Sequence, residues 1–278
     1  MPTQTLCRYI MCAAFALIVS FSWLATKVQA QRGGELTCQD NWYNGRLVSH
    51  CEIKEQTLPA VRGTLSVDAR QNGGIRIRGW DRNEMLLRMR VQAAAATQAE
   101  ADELAKQITV ETANGQIRAD GPSLERNRFW DVSYEIFVPR HSDLSLETYN
   151  GGISISDVSG RIEFEAMNGG VSLNNLGGDV QGRTTNGGLS VTLTGARWDG
   201  DQLDVETTNG GVSLRVPDNY AAHLETGTVN GSFTFGFPVT LQGRISTKHV
   251  TLDLGGGGPT VRVMTTNGGV VVKGMKEE

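Results

Sequence analysis

The sequence predicts an all-β protein built as a single-stranded β-solenoid, with an antiparallel β-sandwich as the alternative architecture. Three observations favour the solenoid. An Asn-Gly signature recurs along the chain, apolar and polar residues alternate with period two, and the repeat unit has about 18 to 21 residues. A unit this short cannot bury its own apolar face, so stacked units are expected to share one core.

The repeat is marked by an asparagine followed by glycine. Thr-Thr-Asn-Gly-Gly occurs three times, and altered or shortened forms occur elsewhere. The asparagines of this series are Asn72, Asn114, Asn150, Asn168, Asn186, Asn209, Asn230 and Asn267. Their spacings are 42, 36, 18, 18, 23, 21 and 37 residues, so the long intervals are expected to contain degenerate copies, one of them at Lys248-His249.

Turn chemistry explains why this signature recurs. Asn and Gly tolerate positive φ better than other residues, so all eight asparagines are predicted to be structural turns between strands. Gly187 and Gly210 are expected where the backbone has positive φ or leaves no room for a Cβ. Stacked identical corners would also align a ladder of side chains, formed by Asn150, Asn168, Asn186 and Asn209.

Two segments interrupt the repeat. Residues 97–108 carry a capping box, Thr97 with Glu100, and an apolar stripe, so they predict one short helix laid on a sheet. The stripe consists of Ala101, Leu104, Ala105 and Ile108. Residues 196–202 account for the 23-residue spacing and are expected to loop out.

Residues 1–30 have the features of a secretory signal peptide. Arg8 precedes an apolar stretch that ends at Val28-Gln29-Ala30, a small-residue pattern suited to cleavage. An uncleaved N-terminal anchor is the alternative, because the apolar stretch is long. The protein is therefore expected to be exported, to the periplasm or to the cell surface and beyond. No membrane span is expected after residue 30.

Cys38 and Cys51 are the cysteines that remain after residue 30, and an even pair in an oxidising compartment predicts a disulfide. A metal site that includes His50 is the alternative. The predicted organisation is a signal peptide at 1–30, a disulfide-containing segment at 31–60 and the repeat domain at 61–278.

Charge and motif content exclude several functions. The formal net charge of −4 gives no basic excess for binding nucleic acid. No catalytic motif, cofactor site or metal site is predicted. The one enzymatic hypothesis rests on Glu147 and Glu165, which are 18 residues apart and would lie one coil apart, about 4.8 Å, close to the carboxylate separation of a retaining glycosidase.

Three features together resemble the DUF4097 β-strand-repeat family, an adhesin-like bacterial family. They are the Thr-Thr-Asn-Gly-Gly-Val-Ser-Leu pattern, the Trp198-Asp199-Gly200 loop and the run Gly255-Gly256-Gly257-Gly258-Pro259. The resemblance covers roughly residues 60–273. It implies a single-stranded β-helix and an exported location, and it brings no catalytic residues.

The expected function is therefore that of an exported, non-enzymatic β-solenoid. It would act as an adhesin-like structural or interaction module of the cell envelope, with an envelope glycan or protein as its partner. The alternative is a glycan-active β-helix enzyme that uses the paired carboxylates of Glu147 and Glu165.

Overall fold

The structure, a computed structural model, describes residues 36–38, 47–123, 127–236, 243–245 and 248–275. The predicted signal peptide lies outside these ranges. The described elements are twenty-one strands and one helix. In chain order they are β1 (Val48–Pro59), β2 (Thr64–Asp68), β3 (Ile75–Trp80), β4 (Glu84–Ala95), α1 (Gln98–Lys106), β5 (Thr109–Glu111), β6 (Gln116–Asp120), β7 (Phe129–Pro139), β8 (Asp143–Thr148), β9 (Ile153–Ser156), β10 (Ser159–Asn168), β11 (Val171–Asn174), β12 (Gly177–Asn186), β13 (Leu189–Thr192), β14 (Gln202–Asn209), β15 (Val212–Pro217), β16 (Ala222–Asn230), β17 (Phe233–Phe235), β18 (Gly243–Ile245), β19 (His249–Leu254), β20 (Thr260–Asn267) and β21 (Val270–Met275).

The strands form two sheets. Sheet A has the order β1-β4-β7-β3-β9-β11-β13-β15-β21-β17, and sheet B has the order β18-β19-β16-β20-β14-β12-β10-β8-β2-β6-β5. A coil consists of one strand of sheet B, an Asn-Gly corner and the following strand of sheet A. The successive coils β8/β9, β10/β11, β12/β13 and β14/β15 lie side by side in both sheets.

Parallel pairing of these coils confirms the predicted solenoid. β10 pairs in parallel with both β8 and β12, and β11 pairs in parallel with both β9 and β13. The register places equal positions of the repeat side by side, for example Asn168 beside Asn186 and Asn186 beside Asn209. Parallel neighbours joined by corners are incompatible with the antiparallel sandwich, which needs hairpins between successive strands.

One hydrophobic core lies between the two sheets. The alternation read from the sequence points Ile162 and Phe164 of β10 inward, where they are 0% and 4% exposed, and leaves Glu163 in solvent. Val171 and Leu173 of β11 close the same layer from sheet A. The outer surfaces of the two sheets therefore lie on opposite sides of this core.

The order of the coils departs from the order of the chain near the C-terminus. β20/β21 lies between β14/β15 and β16/β17. The preceding 37-residue interval contains no degenerate corner at Lys248-His249, because His249 begins β19, which pairs antiparallel with β16. That prediction is wrong, and the interval is long because antiparallel strands are inserted.

A similar insertion explains the long intervals near the N-terminus. β4 pairs antiparallel with β1 and β7, and α1 follows it. The predicted capping box is present: the Glu100 amide donates to Thr97 Oγ1 at 3.3 Å, and the Thr97 amide donates to Glu100 Oε2 at 3.2 Å. The apolar stripe of α1 is buried against β4, as the sequence predicts.

The Trp198 loop differs from its prediction. The predicted loop, residues 196–202, lies between β13 and β14 except for Gln202, which begins β14. It does not simply loop out, because Trp198 is 3% exposed and belongs to the core. Its indole Nε1 donates to the carbonyl oxygen of Gly178 at 3.0 Å. This hydrogen bond therefore links the insertion to a neighbouring coil.

Candidate functional site: the Asn-Gly corners and a cleft beside them

Seven of the eight predicted turn asparagines lie in one column along the corners. Six hydrogen bonds of 2.8 to 3.0 Å join them, each from the side-chain Nδ2 of one asparagine to the Oδ1 of its neighbour. The order along the column is Asn72, Asn150, Asn168, Asn186, Asn209, Asn267 and Asn230. The ladder thus follows the spatial order of the coils, in which Asn267 comes before Asn230.

Asn114 does not join this column. It has φ 54° and is followed by Gly115 at φ 72°, which are the dihedral angles of a tight hairpin turn. The strands on either side, β5 and β6, pair antiparallel. The same Asn-Gly dipeptide therefore makes a hairpin at this one place and a solenoid corner at the others.

The first glycine of each corner is required for space rather than for positive φ. Gly187 is not in the left-handed region, but a Cβ built on it would overlap the carbonyl oxygen of Gly169 in the next coil. Gly210 is placed in the same way against Gly187. Of the two reasons expected from the sequence, the absence of room is the one that holds.

A buried threonine supports each of these close approaches. Thr207 Oγ1 donates to the Gly187 carbonyl oxygen at 2.7 Å, and Thr184 Oγ1 donates to that of Gly169 at 2.8 Å. Equivalent bonds of 2.7 to 2.8 Å are made by Thr148, Thr228 and Thr265. The first threonine of the motif therefore faces inward, a role that the sequence analysis missed although the repeated Thr was visible.

Cys38 and Cys51 form a disulfide in the structure, with their Cα atoms 5.7 Å apart. Cys51 lies on β1, so the bond holds residues 36–38 to sheet A. The Arg90 Nη1 atom also donates to the Thr37 carbonyl oxygen at 3.5 Å. This arrangement is the disulfide that the cysteine count predicts, in place of the metal alternative.

Glu147 and Glu165 occupy paired positions on neighbouring strands of sheet B, and both are exposed. The guanidinium of Arg183, on the next strand, donates to both carboxylate oxygens of Glu165 at 3.0 and 3.1 Å. The structure thus brings the two candidate carboxylates together but ties one of them to a cation.

A cleft of about 650 Å³ opens on the outer side of sheet B, next to the corner column. Its wall carries two aromatic residues, Tyr149 and Trp130, and the Trp130 indole Nε1 donates to the Pro122 carbonyl oxygen at 2.8 Å. Its polar lining includes Asp68, Arg70, Gln71, Asn72, Asp120, Glu147 and Glu165. The combination of aromatic faces with convergent hydrogen-bonding groups is typical of a binding site for a polar ligand.

Tyr149 distinguishes this cleft from the rest of the corner column. It stands where Thr185, Thr208 and Thr266 stand in their own repeats, directly before the asparagine. Its side chain is 52% exposed, so the ring is accessible from the cleft. The tyrosine is visible in the sequence as the aromatic residue at a position that three other repeats fill with threonine, and that signal could have located the cleft.

The described residues contain no metal centre and no spanning helix. No three His, Cys, Asp or Glu side chains among them are grouped so that they could hold a metal ion. Within the same ranges, no helix is both long and apolar enough to cross a membrane.

The fold and the corner column define a class of all-β repeat proteins in which Asn-Gly-Gly corners of successive coils stack in register. Comparison with sequence families then identifies the chain more closely. It belongs to the Toastrack DUF4097 family, whose sequence model matches residues 57–273. A comparison with curated proteins finds no match.

Several solved structures resemble the chain at low identity. A candidate cell-adhesion protein from Clostridium sporogenes is 16% identical with a TM-score of 0.41, over 82% of this chain and 100% of the other. Candidate adhesins from Bacteroides fragilis and Parabacteroides merdae are each 10% identical, with TM-scores of 0.33 and 0.34. They cover 84% and 83% of this chain and 98% and 97% of their own. No functional conclusion follows from likenesses this distant.

Proposed function

We propose that the protein is an exported, non-enzymatic, adhesin-like module that binds a glycan of the cell envelope in the cleft beside Tyr149. The observation that carries this proposal is the presence of an exposed aromatic residue, Tyr149, at a position that three other repeats fill with threonine, inside a cleft of about 650 Å³. Residues 1–30 act as the signal peptide in this proposal, and the repeat domain begins near residue 61.

The chemistry of the cleft suits a sugar chain. A sugar ring presents an apolar face that can lie on the rings of Tyr149 and Trp130, and its hydroxyl groups can donate to carboxylate and amide oxygens. Asp68 and Glu147 are among the lining residues that supply carboxylate oxygens. Ligand pockets usually combine an apolar or aromatic lining with a small number of polar groups that fix the orientation of the ligand. The cleft has this composition.

Export is supported by the Cys38–Cys51 disulfide. Disulfides of this kind persist in oxidising compartments and are rare in the cytosol. The expected location is therefore the periplasm or the cell surface.

The binding proposal is tested on a glycan array, followed by calorimetry with each glycan that the array detects. Tyr149→Ala should weaken binding about fivefold or more, because removing an aromatic platform typically forfeits about 1 kcal/mol or more. The matched control is Thr208→Ala, which alters the equivalent position of a repeat outside the cleft and should change binding less than about twofold. Equal losses in both variants, or no glycan bound at all, would contradict the proposal.

A second candidate function is glycan cleavage. It is favoured by the pairing of Glu147 with Glu165 on adjacent strands and by the presence of both in the cleft, since a retaining glycosidase needs two carboxyl groups about 5 Å apart. Against it stands Arg183, which holds Glu165 through both carboxylate oxygens and so leaves it poorly placed to transfer a proton.

The double variant Glu147→Gln with Glu165→Gln separates the two candidates. A binding module should release no reducing ends from any bound glycan, either as the native protein or as the variant. Release by the native protein that stops in the variant would establish the enzyme instead.

A further inference from the structure

The outer surface of sheet A carries only positive charge along the coils. Its two outward rows run across β3, β9, β11, β13, β15 and β21, and they contain serines, threonine, asparagine and valine besides four cations. The cations are Arg76, Arg78, Arg215 and Lys273. These two rows contain no carboxylate, and we call them the basic face.

The outer surface of sheet B has the opposite character. Its two central outward rows run across β8, β10, β12, β14, β20 and β16, where six carboxylates face two arginines, Arg183 and Arg262. The carboxylates are Glu147, Glu163, Glu165, Asp204, Glu206 and Glu225. Six minus two leaves an excess of four negative charges, and we call these rows the acidic face.

Ion pairs inside each face leave this imbalance in place. On the acidic face, Arg262 Nη1 lies 2.5 Å from Asp204 Oδ1 and 3.6 Å from Glu206 Oε2. Burial acts to lower the pKa of the Arg262 guanidinium, but the hydrogen bond and charge of Asp204, with the nearby glutamates, outweigh burial and raise it. Two arginines cannot neutralise six carboxylates.

On the basic face, the four cations fall into two groups. Arg76 and Arg78 lie 3.7 and 3.3 Å from the carboxylate of Glu135, a buried residue of β7. Arg215 and Lys273 are exposed neighbours on β15 and β21, and among the described residues neither has an ion pair. The cations most available to a partner are therefore Arg215 and Lys273.

We propose that the basic face of one copy of this chain docks on the acidic face of a second copy. The complementary charges are both present on the chain, and both faces are rows of strands with the same spacing of about 4.8 Å. Because the faces lie on opposite sides of the core, a docked pair still offers one free face of each sign. Such a contact is heterologous and builds open strings of copies. This proposal goes beyond glycan binding and does not depend on it.

Ionic strength gives the first test, measured by sedimentation velocity on the purified protein. The weight-average mass should rise with protein concentration in about 20 mM salt and return to that of a monomer in about 0.5 M salt, because screening shortens the range of exposed charges several-fold. A mass that stays monomeric in low salt, or that is independent of salt, would overturn the proposal.

A charge exchange gives the decisive test. Arg215→Glu with Lys273→Glu reverses the exposed part of the basic face, and Glu163→Lys with Glu206→Lys brings the net charge of the acidic face from −4 to zero. Each double variant alone should remain monomeric in low salt, since one of its two faces has lost the charge that attracts the other. An equal mixture of the two should associate again, because the native acidic face of the first variant can dock on the native basic face of the second.

The control keeps the change in net charge but moves it away from both faces. Arg82→Glu with Lys106→Glu alters two cations that are 65% and 70% exposed, and this variant should associate like the native protein. If the mixture stays monomeric, or if the control loses association to the same extent as the first variant, net charge rather than face-to-face docking governs the behaviour. Either result would refute the docking. Monomers that nevertheless bind an anionic polysaccharide through Arg215 and Lys273 would assign the basic face to that polymer instead.

Discussion

Each coil of the solenoid turns at two corners, and glycine serves a different purpose at each of them. At the Asn-Gly-Gly corner, Gly187 is not in the left-handed region and is required because the next coil leaves no space for a Cβ. At the opposite corner, which leads from sheet A to the next strand of sheet B, Gly195 has φ +71° and a Cβ would meet nothing within 4 Å. One residue type therefore satisfies a packing constraint at the first corner and a dihedral constraint at the second.

The second corner also accepts other residues, whereas the first glycine does not vary. Asp157 and Asn175 adopt φ 60° and 51° at second corners, as short polar side chains can in the left-handed region. Asn175 Nδ2 donates to Asp157 Oδ1 at 2.7 Å, so a second, shorter ladder forms there. The comparison predicts that substitutions at the two corners lower the free energy of unfolding by different amounts. It also predicts that asparagine can replace glycine at the second corner but not at the first.

The largest effect is expected from Gly187→Ala. The added Cβ would overlap the Gly169 carbonyl oxygen, which belongs to backbone and cannot rotate away, so two coils must separate locally. The free energy of unfolding should fall by on the order of 3 kcal/mol, at the upper end of overpacking costs. Denaturant unfolding measures this loss as a lower midpoint concentration of denaturant. Ser190→Val, on the solvent side of β13, is the control and should stay within about 0.5 kcal/mol. Equal and small costs at both positions would show that the corner does not set the register.

The next effect in size is expected from Gly195→Ala. Here space is available, so only the strain of a positive φ remains, and the free energy of unfolding should fall by about 1 kcal/mol. Gly195→Asn should recover part of that loss, because asparagine tolerates the left-handed region. At Gly187 asparagine would rescue nothing. If Gly195→Asn were as damaging as Gly195→Ala, strain would not be the reason for glycine at this corner.

The middle of the molecule could be predicted from its sequence because each coil there repeats the same local chemistry. The period near Asn150, Asn168 and Asn186 gives the unit, alternation gives the faces, and Thr97 with Glu100 gives the helix start. The order of coils at the C-terminal end could not be predicted, since pairing β20 with both β14 and β16 depends on contacts far apart in the chain. Spacing alone does not choose between a degenerate coil and an inserted antiparallel strand.

The cleft as a whole could not be predicted from the sequence for a related reason. Tyr149 and Glu165 come from neighbouring repeats and could be placed together by counting, but Trp130 reaches the cleft from β7, outside the repeat series. The purpose of the first glycine was also ambiguous, because the sequence pattern is the same whether glycine is required for φ or for space. Only the distance to the neighbouring coil separates these two reasons.

The smallest effect is expected from Gly188→Ser, at the second glycine of the same corner as Gly187. A Cβ on Gly188 would lie 3.5 Å from the Gly211 carbonyl oxygen, which is an ordinary van der Waals contact, and the φ of Gly188 is outside the left-handed region. The chain itself contains this substitution, because Ser232 follows Asn230-Gly231 at the equivalent position. Denaturant unfolding should therefore place Gly188→Ser within about 0.5 kcal/mol of the native protein. A loss as large as that of Gly187→Ala would mean that both glycines are needed for space, and the tolerance seen at Ser232 would then belong only to the outermost coil of the corner ladder.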